Sequence, residues 1–251
     1  MRERRLKAKE RQFQPPLQEL TRFRQGAYRL LGALLLYPEE QAIVVAPEAA
    51  RHLRQRSPWA AGLGFYGPWD GLLRCLQGLS PHQGEELQQL YVATFGAGPL
   101  DKGIPLYESA YLDQAVMPPG WLLAELEREY MAMGLHLSAA SGPAPDHAAV
   151  ELEFVSFLCG QEAEAWEAGD REKAVRAIGH QVKFLEQHPC QWLPLLARAV
   201  AAREGSGFYA LVVEAARTLV AHDADFSRAL AASLRRTLDL GRRHRLGERH
   251  W

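Results

Sequence analysis

Apolar residues recur along most of the chain at the three- and four-residue spacing that marks one face of a helix. Across residues 17–37 they are Leu20, Phe23, Ala27, Leu30, Leu31, Leu34 and Leu35, and Pro38 ends the pattern. The same spacing predicts further helices over 39–56, 69–79, 81–95, 121–133, 146–168, 171–187, 190–203 and 207–222. No stretch alternates between apolar and polar residues as a half-buried strand does. The pattern therefore predicts an all-α fold, a single globular bundle of about nine to ten helices.

Several of these helices begin at residues that favour a helix start. Ser80 followed by Pro81 is typical of an N-cap and a first helical position, and Asp170 is predicted to cap the helix after it. Asp146 is predicted to cap a helix that His147 opens. By contrast, residues 96–120 lack sustained periodicity and contain four prolines and four glycines. A loop of this length is usually functional.

The composition is that of an ordinary globular protein. With 251 residues and 47% hydrophobic residues, the chain can bury one sizeable core. Its longest apolar run, residues 28–37, is about half of the ~20 residues that a bilayer-spanning helix needs, and residues 8–20 lack the apolar core of an export signal. We therefore expect a cytoplasmic protein without stable membrane association. Three widely spaced cysteines favour reduced thiols over a disulfide framework.

The net charge of −1 conceals an uneven distribution along the chain. Residues 1–12 carry six basic and two acidic residues, and residues 235–251 also carry six basic and two acidic residues, so each end contributes +4. The body between them keeps 17 of the 29 basic and 26 of the 30 acidic residues, a net charge of −9. An acidic body argues against nucleic acid as the main ligand, because phosphate neutralisation needs a positive face.

These features predict how the chain is organised. We expect a basic N-terminal tail over 1–12 and an all-helical domain over 13–225, with a hinge or linker at 135–146. Residues 226–251 are predicted to be helical at first and then to form a basic tail. Charged ends of this composition are commonly solvated and poorly ordered.

One helix carries polar residues where an apolar surface is expected. In the helix over 146–168, Glu151 falls within the apolar arc and stands one turn after His147. A carboxylate among apolar neighbours is costly unless it is paired or hydrogen-bonded. The pattern therefore indicates either a structural pair or a polar site at the centre of the protein.

The search for catalytic motifs is mostly negative. The chain has no glycine-rich phosphate loop after a strand, no G-x-S-x-G, no H-E-x-x-H and no C-x-x-C. The spacing of His147 and Glu151 can place two metal ligands on one helical face, and His136 lies eleven residues upstream, but no further ligand is evident. A helical metalloenzyme using His147 and Glu151 is one alternative function. A helical adaptor that binds another partner through loop 96–120 is a second.

Several short motifs follow one another in a characteristic order. They are Tyr91 and Phe95, then Pro105-Leu106-Tyr107-Glu108-Ser109, then Glu125, Glu129, Tyr130 and Gly134, then Pro145-Asp146-His147 with Glu151, Leu152 and Phe154, and finally His188-Pro189-Cys190-Gln191-Trp192 with Phe208-Tyr209. In this order, within an all-helical chain, they resemble the TorD/DmsD/NarJ family of molybdoenzyme-maturation chaperones. The resemblance covers residues 20–225 and is most specific at the Pro-Asp-His stretch.

The resemblance implies a non-catalytic cytoplasmic chaperone without a cofactor or metal of its own. Such a protein binds the catalytic subunit, or the twin-arginine signal peptide, of a molybdenum oxidoreductase, and delays export until the molybdopterin cofactor is inserted. It is expected to be a monomer or homodimer. The peptide-binding positions that the resemblance implies are Tyr91, Phe95, Tyr107, Glu108, Pro145, Asp146, His147 and Glu151. Where many relatives have a bulkier aliphatic residue after the histidine, this chain has Ala148.

The residue chemistry is compatible with this function. A signal peptide presents two guanidinium groups followed by an apolar helix-forming segment, so its receptor needs carboxylates beside an apolar groove. Asp146, Glu151 and Glu108 are candidate guanidinium acceptors, and Tyr107 and Tyr111 are among the aromatic residues that could line the apolar part. In the structural alternative, Asp146 only caps the helix while His147 and Glu151 satisfy one another. Glu151 is thus either an arginine acceptor or the group that orients His147.

Overall fold

The computed structural model describes residues 17–96, 103–112, 118–137, 142–203 and 207–247. Within these ranges the chain forms nine α-helices, joined in places by short 3-10 turns, and no β-strand. The helices are α1 (Leu17–Leu34), α2 (Glu40–Gln55), α3 (Tyr66–Gln77), α4 (Gly84–Phe95), α5 (Pro119–Ala132), α6 (Ala148–Glu167), α7 (Arg171–Gln187), α8 (Pro189–Ala201) and α9 (Gly207–Gly247). This architecture confirms the all-α prediction.

The most extensive packing in the bundle is between α1 and α6, which run antiparallel. At one end, Gly32 faces the start of α6, and a Cβ on this glycine would stand 3.1 Å from the carbonyl oxygen of Ala149. At the other end, the Thr21 hydroxyl donates to Glu162 Oε1 over 2.8 Å. In between, Ser156 Oγ donates to the carbonyl oxygen of Gln25. The missing side chain at position 32 lets the two backbones approach closely, which places the start of α6 against the end of α1.

A buried ionic network joins α1 to α6, α7 and α9. Arg24 is only 2% exposed, and its guanidinium donates to Asp223, Glu162 and Ser227 over 2.6–3.0 Å and to Gln181. Burial of the guanidinium opposes its charge, but the neighbouring carboxylates outweigh this and raise the pKa of Arg24 further above its usual value. Because two carboxylates face one guanidinium in the interior, the network depends on Arg24 staying in place.

The hydrophobic core lies around α6, as the apolar arc of that helix predicts. The largest fully buried side chains come from the surrounding elements and include Tyr28, Trp69, Phe184, Trp192 and Tyr209. Between residues 148 and 163 of α6, Glu153 is the one exposed position. Nothing among the described helices has the length and apolar character of a membrane span.

Several helix ends lie one to three residues from the predicted ones, among them the start of α4, and the end of the last helix differs by far more. Residues 81–83 form a 3-10 turn, so α4 starts at Gly84 and the predicted cap at Ser80 is wrong. The last helix does not end at residue 222 but continues to Gly247, because Asp223 and Ser227 bind Arg24 and Ala231 is buried on the neighbouring helices. By contrast, Asp170 caps α7 as predicted, accepting from the backbone N–H of Lys173 over 2.8 Å.

The predicted division of the chain stays a prediction. The basic segment 1–12 lies outside the described residues, as do residues 138–141 of the predicted linker and residues 248–251 at the end.

We predict that Arg24→Ala strongly destabilises the fold, by about 3–5 kcal/mol, because it leaves two buried carboxylates without their cation. Urea denaturation followed by circular dichroism measures the free energy of unfolding. The matched control is Arg22→Ala, which removes the half-exposed ion pair with Glu167 and should cost less than about 1 kcal/mol. Equal effects of the two substitutions would contradict the role given to Arg24.

Candidate functional site

A short segment without α-helix, residues 103–112, docks against the start of α6 and contains a 3-10 turn at Glu108–Ala110. Its backbone forms an isolated antiparallel bridge between Tyr107 and His147. The N–H of Glu108 donates to the carbonyl oxygen of Asp146 over 2.9 Å, and the N–H of Ala148 donates to that of Leu106 over 2.8 Å. These bonds satisfy backbone groups that a loop would otherwise bury unpaired, and they fix segment 103–112 against the helical core.

The carboxylate of Asp146 holds this segment instead of capping α6. Its Oδ2 accepts from the backbone N–H of Ser109 over 3.1 Å, and the side chain is 1% exposed. The N-cap of α6 is His147, whose Nδ1 accepts from the N–H of Ala149 over 3.1 Å. The prediction that Asp146 caps the helix and that His147 opens it is therefore wrong, because the Asp146 carboxylate accepts from the Ser109 N–H.

The ring of His147 is kept neutral by its surroundings. Burial lowers its pKa to about 4, although the nearby Asp146 carboxylate works in the opposite direction. A neutral ring is also what the cap requires, since only an unprotonated Nδ1 can accept from a backbone N–H. The exposed ring of Tyr107 packs edge-on against it, with the ring centroids 5.0 Å apart.

A buried histidine–glutamate pair ties segment 103–112 to the joint between α7 and α8. His188 stands between these helices, and its Nδ1 lies 2.9 Å from Glu108 Oε2. Both side chains are at least 95% buried, and the other ring nitrogen of His188 has no hydrogen-bond partner among the described residues. The pair fixes the segment from the side opposite to Asp146.

Glu151 lies beside this pair and binds Trp192, not His147. Its Oε2 accepts from the indole N–H of Trp192 over 3.0 Å, and its carboxyl also makes a side-chain hydrogen bond with the carboxyl of Glu108. Burial raises the pKa of the Glu151 carboxyl well above its usual value, and the nearby carboxyl of Glu108 raises it further. Glu151 therefore does not orient His147, which was one of the roles left open for it.

The structure brings most of the predicted site residues together. Glu108, Pro145, Asp146, His147 and Glu151 all lie where segment 103–112 meets α6, and the Tyr130 hydroxyl donates to the carbonyl oxygen of Pro145 over 2.8 Å.

Tyr91 and Phe95 lie next to this cluster, in an aromatic group of their own. The Tyr91 ring packs edge-on against Phe95, Tyr37 and Tyr209, with centroid distances of 5.2–5.6 Å. The two groups of residues meet at Tyr107, which is close enough to contribute to the raised pKa of Tyr91, although burial is the larger cause.

The carboxylates expected to bind guanidinium groups are inside the protein. Glu108, Asp146 and Glu151 are each 1% exposed, and each is engaged by another residue of this chain. Their role as guanidinium acceptors stays a prediction. Among the described residues, no lysine or arginine pairs with any of the three.

Exposed and partly exposed apolar side chains surround this cluster. They form a surface that we call the apolar strip: Leu36, Tyr37, Tyr91, Tyr107, Leu137 and Val150. Leu36 lines two cavities, of about 160 Å³ and about 30 Å³, on either side of the end of α1. Glu153 lines the first of these cavities.

Sequence reasoning missed Leu36, Leu137 and Glu153 as site residues. The charge of Glu153 is a signal that could have been used, because this residue interrupts the apolar sequence of a helix that is otherwise buried.

A larger cavity lies at the opposite end of α1, away from this site. It has a volume of about 460 Å³ and is lined largely by apolar and aromatic side chains, with Arg24 and Asp223 at its base. Both charged groups are already bound to each other and to neighbouring residues. We therefore place the functional site at segment 103–112 and not at this cavity.

The side chains of His147 and Glu151 do not converge on a common point. The first binds the N–H of Ala149 and the second binds Trp192. Across the described ranges, no group of three or more His, Cys, Asp or Glu residues is arranged to hold a metal ion. The metalloenzyme alternative therefore has no geometric support. Loop 96–120, on which the adaptor alternative depends, includes residues 97–102 and 113–117, which lie outside the described residues.

Comparison with known proteins gives consistent matches. A family model described as the nitrate reductase delta subunit matches residues 63–198. The chain is 29% identical to a perchlorate reductase assembly chaperone protein of Dechloromonas aromatica (strain RCB) over 136 residues. These residues cover 54% of this chain and 59% of that protein. It is 31% identical over 122 residues to a selenate reductase assembly chaperone protein of Thauera selenatis, which covers 49% of this chain and 61% of that protein.

A third relative is the chaperone protein TorD of Aeromonas salmonicida (strain A449). It is 28% identical over 126 residues, which cover 50% of this chain and 55% of TorD. The matched regions thus span between 55% and 61% of the length of these three curated relatives.

We predict that Glu151→Gln changes how stability depends on pH. Because the folded pKa of Glu151 is raised, the folded protein keeps a proton that the unfolded chain loses above about pH 4.5. Wild-type stability therefore falls as pH rises towards the folded pKa, at up to about 1.4 kcal/mol per pH unit, and glutamine removes this contribution.

Urea denaturation between pH 4 and pH 8 measures this effect. Relative to wild type, Glu151→Gln should gain stability as pH rises, while the exposed control Glu164→Gln should not. Parallel curves for wild type and Glu151→Gln would show that Glu151 is ionised in the fold.

Proposed function

This chain belongs to the nitrate reductase delta subunit family, and we propose that it is an assembly chaperone for a molybdenum-containing oxidoreductase. The family match includes the motifs from Tyr91 to Trp192 and confirms the resemblance stated from them. The relatives described above are named as assembly chaperones of perchlorate and selenate reductases and as the chaperone TorD. In our proposal this chain is a chaperone of the same kind and not an enzyme, and it acts in the cytoplasm.

The proposed ligand is the twin-arginine signal peptide of the catalytic subunit. The observation that carries this proposal is the apolar strip with exposed Glu153 beside it, at the position where the predicted site residues meet. The apolar segment of a leader would cover the strip, and a guanidinium group would pair with the Glu153 carboxylate. Leu36, with a cavity on each side, is well placed to contact the apolar side chains of such a segment.

The predicted site residues would contribute in two ways. Tyr91, Tyr107 and Pro145 are at least partly exposed and would contact the peptide, together with Phe95 and His147 at their edges. Glu108, Asp146 and Glu151 would act from the interior, by holding segment 103–112 in place.

The interior carboxylates also favour a cationic ligand at longer range. Glu108 and Asp146 face no lysine or arginine within the described residues, and their carboxyl groups are held by the His188 ring and by the Ser109 N–H. Carboxyl oxygens that no neighbouring cation neutralises create a negative potential at the nearby surface. This potential would attract the two arginines of a leader before any direct contact forms.

We predict that Glu153→Gln weakens binding of a leader peptide by about 5- to 30-fold, because it removes one charge-assisted hydrogen bond worth about 1–2 kcal/mol. Calorimetry with a synthetic peptide that has two adjacent arginines followed by an apolar segment measures this loss. Glu164→Gln, an exposed position further along α6, is the matched control and should bind like wild type.

The same titrations distinguish an error in the assigned site from an error in the proposed function. Replacing the two arginines of the peptide by glutamine should weaken binding to wild type by a larger factor than binding to Glu153→Gln. Equal losses in both proteins would remove Glu153 from the site. Failure of wild type to bind any leader peptide would overturn the proposed function.

We also predict that Asp146→Ala lowers peptide affinity at least about tenfold, since it breaks the bond to the Ser109 N–H and releases segment 103–112. The conservative variant Asp146→Asn keeps an acceptor oxygen and should retain most of the affinity. Hydrogen exchange of the Ser109 amide, followed by NMR, should be faster in Asp146→Ala only. Equal affinity of the alanine variant and wild type would contradict the role of the segment.

A further inference from the structure

The exposed side of α7 carries a row of positive charge. Basic residues recur there at the spacing of one helical face, and exposed arginines follow on the neighbouring α9. Together they form a surface that we call the basic face: Lys173, Arg176, His180, Lys183, Arg235 and Arg236. This is the reverse of the acidic character of the body as a whole.

A glycine brings the two parts of the basic face together. A Cβ on Gly179 of α7 would stand 3.2 Å from the guanidinium nitrogen Nη2 of Arg235, so this arginine lies directly against α7. About two turns closer to the start of α9, Arg228 bonds Glu186 over 2.5 Å and holds the helices side by side. The arginines of α9 therefore continue the charged row of α7 as one surface.

Most of the basic side chains have no partner. The side chains of Lys173, His180, Arg235 and Arg236 make no hydrogen bond or ion pair in the described structure. Arg176 stands 4.0 Å from Glu172, at the outer limit of an ion pair. Lys183 is the exception, since it pairs with Glu129.

The basic residues are not needed to hold α7 in the bundle. Its opposite side buries Val175, Ile178, Phe184 and Leu185 in the core, and these residues supply its packing. Unpaired like charges repel one another. These charges therefore reduce the stability of the fold, and the packing of α7 in the bundle does not require them.

We propose that the basic face docks reversibly on an anionic phospholipid surface. Large exposed hydrophobic side chains occur at several places on the described surface, but none lies within residues 171–187 or 228–237. A protein partner would need such anchors at the centre of an interface. A lipid headgroup layer needs only positive charge, to which each lysine or arginine near the surface contributes.

The acidic body does not prevent this contact. At physiological ionic strength charges are screened over about 8 Å, so a membrane interacts mainly with the side of the protein that faces it. The negative charge elsewhere would instead select the orientation, because it repels every other side of the molecule from the lipid. This inference does not rest on the proposed peptide site, and it describes weak, salt-sensitive contact.

Co-sedimentation with lipid vesicles tests the proposal. The full chain should bind vesicles of phosphatidylcholine and phosphatidylglycerol at low salt, should not bind pure phosphatidylcholine, and should dissociate as salt is raised. The variant Lys173→Gln, Arg176→Gln, Arg235→Gln, Arg236→Gln should lower the partition coefficient about 100-fold or more. The control variant Arg29→Gln, Arg51→Gln, Arg128→Gln, Arg198→Gln removes the same charge from exposed positions elsewhere and should keep at least a tenth of the binding.

Each contrary result overturns the proposal. Equal losses in the two variants would mean that overall charge or the basic ends, and not this face, attract lipid. Absence of binding by wild type at low salt would reject a lipid surface. Tighter binding to a DNA duplex than to the anionic vesicles at matched salt would assign the face to another polyanion. Circular dichroism and peptide calorimetry on both variants confirm that they remain folded.

Discussion

The packing of α1 against α6 is the contact on which the other parts of the structure depend. Gly32 permits the close approach at one end, and Thr21 and Arg24 bind Glu162 at the other. With both ends fixed, the start of α6 has one position relative to the end of α1. The candidate site is built at that position, so its geometry follows from helix packing and not from the loop alone.

Polar groups in the interior have different effects at the two ends of this helix pair. Around Arg24, charges of opposite sign are hydrogen-bonded to one another, which makes the network rigid. Around Glu151, two carboxyls lie close together and some polar atoms have no partner in the described structure. The first arrangement stabilises the bundle, whereas the second reduces its stability, because one carboxyl is buried beside another.

Most of the helices could be predicted because they bury one face, so that apolar residues recur along them at helical spacing. The site could be predicted only in part. Asp146 is the favoured cap by residue type, but its carboxylate binds Ser109, 37 residues away, and His147 caps the helix instead. Likewise, Glu151 binds Trp192, 41 residues later, and not a neighbour on its own helix. These pairings depend on tertiary packing, and the spacing of apolar residues along the chain does not indicate which distant residues will meet.

The bond between Glu108 and His188 has a mechanical consequence. His188 is the joint between α7 and α8, and its other ring nitrogen already lacks a partner in the described structure. Any movement of segment 103–112 that broke this bond would leave the whole imidazole unsatisfied at the point where the two helices change direction. The segment and the angle between these helices are therefore linked thermodynamically, and a ligand that shifts one of them must act on the other.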